Sequence, residues 1–118
     1  MASFAEMHER ALQVRRMYAE WETTRYGREW TAEELALGFV GDVGDLVKLV
    51  QGKAGVRPRE DLDEALAHEL ADCLWCVMVL AEKYDIDLER AFADVMAGLE
   101  QHLRTERSGE PRPHPPVS

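Results

Sequence analysis

Basic residues are scarce in this chain of 118 residues: 14 Lys and Arg stand against 23 Asp and Glu, a net charge of -9. That is the wrong sign for a protein that works by neutralising a phosphate backbone, so duplex nucleic acid is not an expected partner. A small phosphorylated ligand is not excluded, because a divalent cation held by carboxylates inverts the local field. Long apolar runs are also missing. None approaches the roughly 18 residues of a membrane span, so no membrane partner is expected. Cysteine is limited to Cys73 and Cys76 in "ELADCLWCVMVL". With apolar neighbours and no second pair they read as small core residues, not as a zinc or redox centre. The amino terminus, "MASFAEMHER", lacks the basic and apolar regions of a secretory signal, and the expected location is the cytoplasm. Proline is almost confined to "SGEPRPHPPVS", which holds four of the five and little that could pack. Residues 107–118 are therefore expected to be a disordered tail, and residues 1–106 one domain.

What is present is helical period. Phe4, Met7, Ala11, Val14, Met17, Tyr18 and Trp21 recur at three- and four-residue intervals, which predicts a first amphipathic helix to about Tyr26, with Gly27 as its stop. Thr31 and Glu34 form a capping-box pattern opening a second helix to about Gln51. A Gly- and Pro-punctuated connection carrying Lys53, Arg57 and Arg59 follows, and a third helix is predicted from Asp61 to about Tyr84. Its centre, Cys73 to Leu80, is apolar on all sides. A helix of that kind must be covered all round, which in so small a protein predicts a homo-oligomer. Asp87 caps a fourth helix through Leu88, Phe92, Val95, Met96, Leu99 and Leu103. No strand signal and no internal repeat accompany these, and the predicted fold is an all-α antiparallel bundle of about four helices.

The second helix contains "GFVGDVGDLVKLV", in which Gly38, Gly41 and Gly44 and two aspartates interrupt an apolar run. Each glycine costs a helix about 1 kcal/mol relative to alanine. Asp42 and Asp45, three apart, share one helix face, and "HELAD" repeats the device with Glu69 and Asp72 on the third helix. Packed antiparallel, the two pairs would bring four carboxylates together, which cannot all stay ionised without a counter-charge. An all-oxygen ligand set favours Mg²⁺, or Mn²⁺, over zinc. Gly41 and Gly44 leave room for a close approach, either by a bulky ligand or by a neighbouring helix. "HELAD" lacks the second histidine of a zinc hydrolase helix, so His68 is not assigned to zinc.

The order "VGDVGDLVKLVQ", a basic loop, then "ELADCLWCVMVLAEKYDIDLERA" resembles the MazG-type all-α nucleoside triphosphate pyrophosphohydrolases, in particular the short branch that includes dCTP pyrophosphatases. The resemblance runs from Leu35 to Ala91. It implies Asp42, Asp45, Glu69 and Asp72 as magnesium ligands and catalytic carboxylates. It also implies cleavage of a nucleoside triphosphate between its α and β phosphates, giving the monophosphate and pyrophosphate, in a house-cleaning role and as a dimer or tetramer. Lys53, Arg57 and Arg59 are expected at the outer phosphates, and Trp30 and Trp75 near the base. The chain departs from the family pattern in having Asp at 42 and 45 for Glu, Gly52 for Trp, Cys76 for Tyr, and aliphatic Val95 and Leu99 on the fourth helix. The base is left open by these changes. A non-catalytic relative that binds nucleotide or metal as a helical oligomer is the alternative.

Overall fold

The computed structural model describes residues 2–107; of the tail predicted at 107–118, Arg107 is the last residue of a helix and 108–118 lie outside the described residues. Four helices form: α1 Phe4–Tyr26, α2 Ala32–Lys53, α3 Leu62–Lys83 and α4 Leu88–Arg107. No strand occurs among the described residues, and none of these helices is long and apolar enough to cross a membrane. The chain divides after Asp85 into two compact units, α1 to α3 in the first and α4 in the second.

Local chemistry sets the helix ends. Thr31 and Glu34 form the expected capping box: the Glu34 N–H donates to Thr31 Oγ1 at 3.2 Å, and the Thr31 N–H donates to Glu34 Oε1 at 3.0 Å. Ser3 and Glu6 form a second box at the start of α1, satisfying two of the free amides there. Gly27 ends α1 in the left-handed region at φ 81°, where glycine bears no Cβ penalty. Within the second unit, the Arg90 N–H donates to Asp87 Oδ1 at 3.1 Å, fixing the start of α4 where the sequence predicts it.

In the first unit, α2 and α3 are antiparallel: Asp42 lies opposite Cys76, Asp45 near Glu69, and Lys53 opposite Asp63. Gly52 makes the turn between them possible. A Cβ there would meet Leu62 Cδ2 at 2.6 Å and the Arg57 carbonyl at 3.3 Å, so any side chain requires Leu62 to move aside and the connection to give by a few tenths of an ångström. The tryptophan of the family pattern is thus replaced by a close contact. The α1 helix crosses α3, where the Trp75 indole N–H donates to the Ala11 carbonyl at 3.0 Å and His8 Nε2 lies 3.2 Å from the Met78 carbonyl.

A buried ion pair secures α1 to the start of α2. Arg15 donates through two nitrogens to Glu22 at 3.0 and 2.7 Å, and Glu22 also accepts the Trp30 backbone N–H at 2.8 Å. Such a pair contributes little net stability over an apolar replacement, yet it is costly to break, so its role here is to fix the connection. Burial of apolar side chains is otherwise thin. Leu49, Met78, Val79 and Ala81 are buried, while Leu37, Val40 and Val47 on α2 and Leu70 and Leu74 on α3 stay exposed. Leu70 and Leu74 thus leave part of the apolar third helix exposed among the described residues. Gly38, Gly41 and Gly44 likewise meet nothing within 4 Å, so the close approach expected at these glycines is not made by the described chain.

Candidate functional site

Three of the four predicted carboxylates converge. One oxygen each from Asp42 and Asp45 on α2 and from Glu69 on α3 lies within 4.8 Å of the others. The i,i+3 spacing puts both aspartates on the α2 face that packs on α3. Glu69 Oε1 is buried and has no hydrogen-bond partner. An orphaned carboxylate oxygen costs free energy unless a donor or a cation meets it. Burial, then the charges of Asp42, Asp72 and Asp45, push the Glu69 carboxyl above its ordinary range. Hard oxygen donors short of positive charge fit a divalent cation such as Mg²⁺ or Mn²⁺.

Asp42 has a second partner, the Cys76 thiol, which donates to its Oδ2 at 3.4 Å. Burial first, and then that bond to a carboxylate, push the Cys76 thiol up to about 12. Cys73 is raised by the same causes, burial and nearby carboxylates. Both shifts disfavour the thiolate form of these cysteines.

Asp72 stands apart from the three-oxygen cluster. Its Oδ2 lies 3.1 Å from His68 Nε2, one turn back along α3. It lines an apolar cavity of about 460 Å³ between α1 and α3, together with Val14, Tyr18, Leu74, Trp75 and Met78. Trp75 is held there by its bond to Ala11, with its ring centroid 5.6 Å from that of Tyr18. A fixed indole beside a phenol in an apolar hollow can stack on a flat ring.

The remaining sequence-assigned contacts lie elsewhere. Lys53 Nζ is 2.6 Å from Asp63 Oδ1 and lines neither this cavity nor the one beside the carboxylates. Arg57 is exposed in the connection, in a left-handed turn at φ 56°. Trp30 contributes its backbone N–H to Glu22, and its ring lines neither cavity. Sequence reasoning passed over Lys48, which lies with Arg59 and His68 on the wall of a second cavity, of about 290 Å³, that Asp45 and Glu69 border. The signal was available: Lys48 follows Asp45 by three residues and so continues its helix face.

Residues 30–103, more than half of the chain, match the family model described as the MazG nucleotide pyrophosphohydrolase domain. Among curated proteins, the chain is 33% identical over 89 residues to a Rattus norvegicus protein named dCTP pyrophosphatase 1, covering 70% of this chain and 52% of that protein. It is 32% identical over 89 residues, with the same coverage, to the Mus musculus protein of that name. The chain therefore spans about half the length of the curated relatives it matches. No solved structure matches it at the same stringency.

Proposed function

The chain belongs to the MazG nucleotide pyrophosphohydrolase family, and from that premise we propose that it hydrolyses a nucleoside or deoxynucleoside triphosphate to the monophosphate and pyrophosphate. The observation that carries this reading is the orphaned oxygen of Glu69 among the carboxylates of Asp42 and Asp45. These three side chains would hold Mg²⁺ or Mn²⁺, and Asp72 stands one turn from Glu69 as the fourth family carboxylate. The bound cation supplies neutralisation of charge on the phosphate oxygens. The carboxylates orient a water whose oxygen bonds to the α-phosphorus and whose proton is released to solvent, while the bond from that phosphorus to the bridging oxygen breaks and pyrophosphate leaves. Trp75, with Tyr18, offers the wall on which the base stacks. The relatives' printed name supports a deoxycytidine nucleotide as the first substrate to try.

The working form is a homo-oligomer, a dimer or tetramer, acting in the cytoplasm on the nucleotide pool. Support for self-association comes from the apolar side chains of α2 and α3 that one chain leaves in solvent. A second reading, a relative that binds nucleotide or metal without turnover, draws on one observation: Asp72 faces His68 and not the other three carboxylates.

Incubation with Mg²⁺ and each common NTP and dNTP, with the products resolved, tests both readings. Monophosphate plus pyrophosphate, lost in Asp45→Asn and in Glu69→Gln, is the expected result. Intact nucleotide bound with measurable affinity supports the second reading, and release of single orthophosphate overturns the assigned bond cleavage.

A further inference from the structure

We propose that the 290 Å³ cavity between α2 and α3 receives the two outer phosphates of the substrate and then the leaving pyrophosphate, with Lys48 as the principal binding cation. The proposal rests on the pyrophosphohydrolase reading above and adds to it a residue and a direction.

Three observations meet in this cavity. Asp45, Lys48 and Leu49 of α2, Ala65, His68 and Glu69 of α3, and Arg59 of the connection line it together. Carboxylates that would hold a cation thus adjoin ammonium and guanidinium groups suited to phosphate oxygens. Lys48 makes no ion pair or hydrogen bond among the described residues, whereas Lys53 is engaged by Asp63 and Arg28 by Glu34. Its charge is uncommitted beside the carboxylate cluster. Arg59 is held by Asp61, whose two oxygens accept from its Nε and Nη2. The remaining nitrogen, Nη1, stays available, and the fork is oriented before any ligand arrives.

Size points the same way. The hollow of about 290 Å³ is smaller than the one of about 460 Å³ beside Trp75 and has room for a pair of phosphoryl groups. The larger apolar hollow beside Trp75 is the place for the base. The His68–Asp72 pair joins the two, since His68 lines the basic cavity and Asp72 the apolar one. From His68 to Trp75 the helix rises about 10 Å, a span that ribose and the α-phosphate can bridge. The polyphosphate therefore points toward the α2–α3 connection and the base toward Trp75.

The test measures binding of inorganic pyrophosphate by calorimetry in excess Mg²⁺, with wild type, Lys48→Met, Lys48→Arg and Lys83→Met. The last variant removes the same charge at the far end of α3 and controls for net charge. Lys48→Met is expected to weaken pyrophosphate binding by about 10- to 100-fold, the range for losing a charged hydrogen-bonding partner, while the rise in melting temperature caused by Mg²⁺ alone is retained. Lys48→Arg is expected to restore part of the affinity, and Lys83→Met to leave it unchanged. Equal affinity in wild type and Lys48→Met, equal weakening by Lys83→Met, or no pyrophosphate binding by wild type overturns the inference. Failure here is separable from failure of the hydrolase reading. Turnover of nucleotide with pyrophosphate affinity indifferent to Lys48 refutes the subsite alone. Binding that depends on Lys48 without turnover refutes the hydrolase and leaves the subsite standing.

Discussion

Glu69→Gln is expected to stabilise the protein without divalent cations and to destabilise it, relative to wild type, with them. Oxygens of Glu69, Asp42 and Asp45 lie within 4.8 Å of one another, and two full charges at that distance repel by about 3.5 kcal/mol at an effective dielectric of about 20. Asp45 is exposed, so solvent screens much of its share. Neutralising Glu69 then releases about 1–3 kcal/mol, or about 4–12 °C in melting temperature for a domain of this size. The sign of the pH dependence follows from the raised Glu69 carboxyl. Its contribution favours the fold most below the ordinary value of 4.5 and is lost as pH rises through the higher value in the folded chain; the glutamine variant lacks that slope. Mg²⁺ at 1,000 times its dissociation constant adds about 4.1 kcal/mol to the wild type and little to the variant. Thermal melts in chelator and in Mg²⁺ should therefore rank the two proteins in opposite orders. A variant no more stable than wild type in chelator, with both responding alike to Mg²⁺, would refute the reasoning.

Two further perturbations probe the frame that holds the site. Glu22→Gln breaks the buried pair with Arg15 and should cost about 3–5 kcal/mol in urea unfolding. Because Arg15 holds the Glu22 carboxyl below its ordinary 4.5, the stability it contributes is present above that pH and lost as pH falls through the lower value. The variant should show a correspondingly shallower acid dependence. Gly52→Ala, whose Cβ would lie 2.6 Å from Leu62, should destabilise by about 1–3 kcal/mol, while Gly44→Ala, which meets nothing, should stabilise the isolated chain by up to about 1 kcal/mol. If Gly44 faces a second copy, gel filtration of Gly44→Ala should also show weaker association.

The helices were legible because their ends are written in local chemistry. Thr31 with Glu34, Gly27 and Asp87 each act through atoms within a few residues, and the three ends lie where the sequence predicts them. The convergence of Asp42, Asp45 and Glu69 was legible for a related reason, since i,i+3 spacing on antiparallel helices leaves few alternatives. Asp72 was not, because spacing gives a helix face and not a rotamer; His68, four residues earlier, offers an alternative partner. The ion pair of Lys53 was not legible either, as its partner Asp63 lies across the turn. The role of Gly52 could not be read at all. It depends on where Leu62 arrives after the connection, which is a property of packing and not of composition.

Every carboxylate of the site lies between positions 42 and 72, on a single hairpin of two helices. Contacts so near in sequence close small loops, and small loops lose little chain entropy when they form. The carboxylates of the site therefore belong to the part of the molecule that can assemble earliest, before α1 must find its place across α3.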